Sequence, residues 1–243
     1  MKIVICEKLK IKLILLSVLS VILVGLAVAD RLTTLYAVDA SVSVLGDYTV
    51  VLDAGHGGID GGTTADDGTP EKIINLQIAQ KLEQILNAMG IKTVMTRTDD
   101  ESIHDSDANT IRQKKVSDIK NRLKIIENTE NAIFVSIHQN HFGDSKYSGT
   151  QVFYSKNNPR SKELAEAIRA QIILNLQKEN TREVKQSGTE IYLLYHSKVP
   201  SVMVECGFLS NKNETEKLKQ ESYQRQLAFL TALGIVEFLN SEA

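Results

Sequence analysis

Residues 50–58 of the chain read VVLDAGHGG. An apolar run rich in β-branched residues ends there in glycines placed around one histidine, which is typical of a buried strand followed by a tight loop. The glycines allow the backbone to bend sharply and a ligand to approach it closely. We therefore expect His56 to lie at the carboxyl end of a strand, where open α/β sheets bind their ligands.

Two further apolar runs end in a side chain that can take part in chemistry. Residues 134–137 run into His138, and residues 201–204 run into Glu205. The carboxyl ends of parallel neighbouring strands meet at one edge of a sheet. We therefore expect His56, His138 and Glu205 to converge at that edge.

Length and composition restrict the class of protein. The chain has 243 residues, a formal net charge of -2 and 42% hydrophobic residues, which predicts one globular domain with a sizeable core. A charge balance this close to neutral argues against a nucleic-acid binder. Only Cys206 lies outside the N-terminal segment that also holds Cys6, so the folded part has no partner for a disulfide.

The N-terminal segment has the pattern of an export signal. Residues 1–12 carry four lysines, residues 13–29 are almost continuously apolar, and residues 27–29 (AVA) suit a cleavage site. We predict a signal peptide or an N-terminal membrane anchor at residues 1–29, a linker at 30–46 and the catalytic domain at 47–243. The basic flank before the apolar run places the remainder of the chain outside the cytoplasm.

Strand and helix patterns alternate along the rest of the chain, which predicts a single α/β domain with a mostly parallel sheet flanked by helices. Thr69 is expected to cap a helix whose first turn holds Pro70, and Gly90 to end that helix. Further helices are predicted near residues 112–126, 164–172 and 223–238, further strands at 91–96, 150–155 and 191–195, and a loop at 180–187.

His56, Glu71 and His138 could together form a metal site at the carboxyl ends of the strands. A catalytic zinc commonly has three ligands from His and Asp or Glu, and the same set also suits non-haem iron. Taken singly, Glu71 could only complement the helix dipole, and His138 could be a hydrogen-bonded histidine at a strand end. Glu205 favours a hydrolase, because a buried acid is costly without a partner and metal-assisted hydrolysis needs a nearby base.

Five short motifs occur in a family order over residues 48–239. They are LDAGHGG at 52–58, EK at 71–72, TR at 96–97, SIHQN at 136–140 and VECGFLSN at 204–211. With them the chain resembles the zinc-dependent N-acetylmuramoyl-L-alanine amidases of the amidase_3 family. The resemblance implies an α/β fold, one Zn²⁺ bound by His56, Glu71 and His138, and a catalytic glutamate at Glu205. Asn140, beside His138, is a candidate substrate contact.

Within that family the chain is most similar to the germination-specific, CwlD-like amidases of spore formers. This implies hydrolysis of the amide bond between the lactyl group of N-acetylmuramic acid and L-alanine in peptidoglycan, during spore cortex maturation. The expected location is the cell wall or the forespore intermembrane space, secreted or anchored. An accessory activating protein is a further expected partner. The alternatives are another wall-directed zinc hydrolase, a peptidase or deacetylase, and a wall-binding regulatory protein without activity.

Overall fold

Strands and helices alternate through the part of the chain that the structure describes, which is Ser20 and residues 47–241 of a computed structural model. The strands are β1 (Thr49–Ala54), β2 (Lys92–Met95), β3 (Ala132–Asn140), β4 (Gln151–Tyr154), β5 (Lys185–Gln186) and β6 (Ser201–Phe208). The helices are α1 (Glu71–Ala88), α2 (Ile111–Glu127), α3 (Arg160–Asn175), α4 (Tyr192–His196), α5 (Lys212–Leu218) and α6 (Glu221–Asn240).

The six strands form one sheet in the order β2-β1-β3-β6-β4-β5. Neighbouring strands are parallel, except that β4 runs antiparallel to β6. The prediction of an α/β domain with a mostly parallel sheet is therefore confirmed. Because β1, β3 and β6 are parallel neighbours, their carboxyl ends meet at one edge of the sheet, and this edge carries the candidate site.

Helices cover both faces of the sheet. Helices α1, α3 and α6 pack on one face and contribute to the larger apolar core, whereas α2 and α4 contribute to a smaller core on the other face. Successive residues of β1 enter different cores: Val50 and Leu52 lie in the larger one and Val51 in the smaller one. A strand buried on both faces needs a continuous apolar sequence, which explains the run at residues 50–52.

The start of α1 differs from the prediction. Pro70 is the N-cap and makes no side-chain cap hydrogen bond, so the expected threonine cap at Thr69 is wrong. Backbone carbonyls of the preceding loop replace it, because Glu71 N donates to Thr63 O (2.9 Å). The predicted stop is confirmed: the helix ends at Ala88, and Gly90 follows with φ +79°.

Two local predictions beyond residue 180 are wrong. The expected strand at 191–195 is the helix α4, in which the adjacent residues Leu193 and Leu194 are both buried in the smaller core. In a strand these two side chains would point to opposite faces, and a short apolar run does not distinguish the two structures. The expected loop at 180–187 contains β5, a two-residue edge strand of exposed polar residues with no apolar pattern to indicate it.

The α/β domain lies within one compact unit, Leu45–Ala243. The predicted leader at 1–29 and linker at 30–46 lie outside the described residues, apart from Ser20, so these boundaries stay predictions. Across Ser20 and residues 47–241, no helix has both the length and the apolar character that crossing a membrane requires.

Candidate metal centre

The loop after β1 brings His56 to the edge of the sheet in an unusual backbone conformation. His56 has φ +63°, which is uncommon for a residue with a side chain. Gly55 is required for another reason: a Cβ atom there would clash with the imidazole of His138. The missing side chain lets the rings of His56 and His138 approach to 4.9 Å between centroids.

Glu71, the first residue of α1, lies between the two histidines. Its Oε1 is 2.9 Å from His138 Nδ1, and its Oε2 is 3.3 Å from His56 Nε2. One ligand atom from each of the three residues can be chosen so that all lie within 4.8 Å of one another. Two imidazole nitrogens and one carboxylate are a donor set that suits a catalytic zinc. The structure thus brings together the three residues that the sequence pointed to.

Neighbouring groups fix the Glu71 carboxylate in this position. Oε1 also accepts hydrogen bonds from Gln139 N (3.0 Å) and Asn75 Nδ2 (3.2 Å), and Oε2 accepts one from Thr63 N (2.9 Å). Burial alone raises the pKa of a carboxyl group, but hydrogen bonds and charge from the two histidines outweigh it and lower the pKa of Glu71. The carboxylate therefore stays ionised and available to a cation.

In the metal-free protein, each ring nitrogen of His56 faces a carboxylate. Burial lowers the pKa of a histidine, yet hydrogen bonds to Asp60 and Glu71 outweigh this effect and raise the pKa of His56 to about 9. A metal ion bound at Nε2 would have to displace a proton there, so metal binding at this site would weaken as the pH falls.

Glu205 lies inside β6 rather than at its end, because the strand continues through Phe208. It pairs in register with His138 of β3, which places the two residues side by side at the site. Its Oε2 is buried and has no hydrogen-bond partner among the described residues. Burial, opposed by the nearby histidines, raises the pKa of Glu205 to about 7. Cys206 is buried, in agreement with a packing role.

Two buried arginines hold the backbone of the loop, and the sequence analysis missed both roles. Arg122 of α2 donates to Asp53 Oδ1 (2.6 Å), Ala54 O (2.9 Å) and His56 O (2.7 Å). Arg97 donates to Ala54 O (2.8 Å) and Gly55 O (3.0 Å). The one signal available was the acid at Asp53 inside an apolar run, which requires a buried partner.

Asn140 is the last residue of β3, two residues after His138, and His141 follows it. Asn140 accepts a hydrogen bond from Leu209 N (2.8 Å) through its backbone carbonyl, and its contact with substrate stays a prediction. His141 is exposed and is not part of the three-residue cluster.

Comparisons with known proteins agree on one family. The model of the family Amidase_3, N-acetylmuramoyl-L-alanine amidase, matches residues 50–237. The germination-specific N-acetylmuramoyl-L-alanine amidase of Bacillus subtilis is 31% identical over 193 residues, which are 79% of this chain and 80% of that protein.

Solved structures show the same relationship. The CwlD amidase of Clostridioides difficile, in complex with the GerS lipoprotein, matches with a TM-score of 0.77 and 44% identity, over 79% of this chain and 98% of that one. The amidase AmiC2 of Nostoc punctiforme matches with a TM-score of 0.69 and 30% identity, over 80% and 98% of the two chains. The chain therefore belongs to the amidase_3 family and is an N-acetylmuramoyl-L-alanine amidase.

Proposed function

We propose that the amidase is a one-zinc enzyme of spore cortex maturation, with His56, Glu71 and His138 as zinc ligands and Glu205 as the general base and acid. It would hydrolyse the amide bond between the lactyl group of N-acetylmuramic acid and L-alanine. The observation that carries this proposal is the cluster of three ligand atoms within 4.8 Å of one another. Amidases of this family are generally zinc-dependent, and the donor set of the cluster fits that metal.

The metal and Glu205 would have separate roles in the hydrolysis of the amide bond. When bound, zinc supplies Lewis-acid chemistry, which makes a water molecule more acidic and polarises the carbonyl group under attack. Glu205 takes the proton from the attacking water, whose oxygen forms the new bond to the lactyl carbonyl carbon. The carbon–nitrogen bond then breaks, and Glu205 returns the proton to the departing alanine nitrogen. A carboxyl group with a pKa near 7 suits both transfers.

The biological setting rests on the relatives. The similar protein of Bacillus subtilis carries the name of a germination-specific amidase, and the similar amidase of Clostridioides difficile was solved with a lipoprotein. We extend both features to this chain: action on cortex peptidoglycan, and an accessory protein partner. A signal peptide or membrane anchor at residues 1–29 would place the enzyme in the forespore intermembrane space or the cell wall.

The products of peptidoglycan digestion test this function. We expect the zinc-loaded full chain, in mild detergent, to release intact stem peptides with a free L-alanine amino terminus from spore-type peptidoglycan, as identified by mass spectrometry. Cuts within the stem peptide would indicate a peptidase, and glycan that has lost acetyl groups would indicate a deacetylase. Either pattern, without free stem peptides, contradicts the proposal. A chelator-treated sample serves as the control and is expected to be inactive.

Zinc binding tests the ligand assignment separately. The His138→Ala variant is expected to bind zinc at least ~10²-fold more weakly, because removing a ligand should cost more than removing its hydrogen-bond partner. Competition with a fluorescent chelator measures the affinity. His141→Ala is the matched control, because it makes the same substitution at a nearby exposed histidine outside the cluster. Equal zinc affinity of the two variants would remove His138 from the ligand set.

A further inference from the structure

We propose that Asp60 is a positioning residue that orients the His56 imidazole for the metal ion, and that Lys115 of α2 holds Asp60 in place. This inference rests on the proposed zinc site. It adds to the three proposed ligands a carboxylate that binds the His56 ring, and a lysine that pairs with that carboxylate.

The contacts form a short chain from α2 to the site. Lys115 Nζ lies 2.7 Å from Asp60 Oδ1, and Asp60 Oδ2 lies 2.9 Å from His56 Nδ1. The other ring nitrogen, His56 Nε2, faces Glu71 Oε2 at 3.3 Å. The carboxylate of Asp60 therefore binds one nitrogen of the ring, and the candidate metal position lies at the other.

Backbone hydrogen bonds also hold Asp60 in place. Gly57 N donates to Asp60 O (2.9 Å), and Asp60 N donates to Gly57 O (3.0 Å), so residues 57–60 form a closed turn. The turn follows His56 directly in the chain. Its geometry therefore sets the distance between the imidazole and the Asp60 carboxylate.

This arrangement selects one form of the ring. A neutral imidazole carries its proton on one nitrogen and a lone pair on the other. A carboxylate at Nδ1 keeps the proton on Nδ1, so that Nε2 presents its lone pair once a metal ion has displaced the proton there. Hydrogen bonds of this kind also fix the ring orientation and make the ligand nitrogen more basic.

The position of Asp60 makes it suitable for substitution. The side chains of His56 and Asp60 are 25% and 26% exposed, so removing the carboxylate neither opens a core cavity nor strands a buried charge. Lys115 is half exposed and stays solvated without its partner. We therefore expect Asp60 variants to fold.

The first test measures zinc affinity in full-chain variants by chelator competition. Asp60→Ala is expected to bind zinc about 10–100-fold more weakly than the wild type, the range found for removing such a partner. Asp60→Asn should lose less, because its amide oxygen still accepts a hydrogen bond from Nδ1.

Asp100→Ala is the matched control for loop stability. Asp100 holds the same loop, since it accepts from Gly58 N (3.0 Å) and pairs with Lys72 Nζ (2.8 Å), but the structure gives it no contact with the His56 ring. Substitution of Asp100 should change zinc affinity by less than about threefold, because an exposed ion pair contributes little energy. Equal losses in Asp60→Ala and Asp100→Ala would overturn the inference in favour of a purely structural role.

The second readout is the nitrogen NMR spectrum of the zinc-loaded histidines. The His56 signals, assigned by their loss in His56→Ala, should show a protonated Nδ1 and a metal-bound Nε2 in the wild type. Asp60→Ala should keep this protonation pattern but shift the Nδ1 proton signal upfield, because the hydrogen bond to the carboxylate is lost, and an unshifted Nδ1 proton overturns the inference. If His56→Ala instead binds zinc as tightly as the wild type, the ligand assignment itself fails and the role of Asp60 fails with it.

Discussion

We expect the Glu205→Gln variant to keep its zinc and to lose at least ~10²-fold in kcat, the low end for general acid–base catalysis. Glutamine has nearly the shape of glutamate but cannot take a proton from water or return one to the alanine nitrogen. We assign this proton transfer to Glu205 because it pairs with His138 in the sheet and its pKa is raised by burial. The rate of stem-peptide release measures kcat, and competition with a fluorescent chelator measures the affinity for zinc.

The control for this prediction is Glu71→Gln, which makes the same chemical change at a proposed ligand. Glu71 contacts both histidines, so its variant should lose zinc affinity together with activity. Glu205 has no such contact, and its Oε2 has no hydrogen-bond partner to lose among the described residues. Turnover by Glu205→Gln close to that of the wild type would remove Glu205 from the mechanism.

The sequence allowed prediction of those parts of the fold that rest on long apolar patterns. The apolar runs at residues 50–52 and 134–137 lie in the neighbouring strands β1 and β3, and parallel pairing follows from the alternation of strands with helices. Parallel pairing in turn places His56 and His138 at one edge. The short apolar segment at 191–195 shows the limit, because four or five apolar residues suit a helix as well as a strand.

The support of the site could not be predicted in the same way. Lys115 and Arg122 lie on a helix with no sequence motif, and their partners Asp60 and Asp53 are more than 50 residues away in the chain. Polar residues of a helix are normally solvated, so the sequence offers no sign of which ones turn inward. The left-handed backbone of His56 could not be predicted either, because the carbonyl group of this residue binds Arg122, which is distant in the chain.

Arg122 binds both a buried acid of β1 and the backbone of the loop that follows β1. Its side chain is 3% exposed and Asp53 is 1% exposed, with 2.6 Å between Nη1 and Oδ1. Burial raises the pKa of a carboxyl group, but the charges of Arg122 and His138, together with hydrogen bonds from Ser136 and Arg122, outweigh it and lower the pKa of Asp53 to about 2. The same guanidinium binds the carbonyl groups of Ala54 and His56, so the ion pair also anchors the loop that carries His56.

Replacing Arg122 with methionine should therefore lower the free energy of unfolding by about 3–5 kcal/mol at pH 7, the cost of leaving a buried charge without its partner. Asp53 stabilises the wild type above its ordinary pKa of 3.8, and this contribution is lost as the pH falls towards 2. In the variant, protonation of Asp53 instead removes the unpaired charge. The difference in the free energy of unfolding between the wild type and Arg122→Met, measured by urea unfolding, should become smaller as the pH is lowered.

Adding Asp53→Asn to Arg122→Met should recover part of the lost free energy of unfolding at pH 7. No recovery would show that packing, not charge, is the cause of the loss.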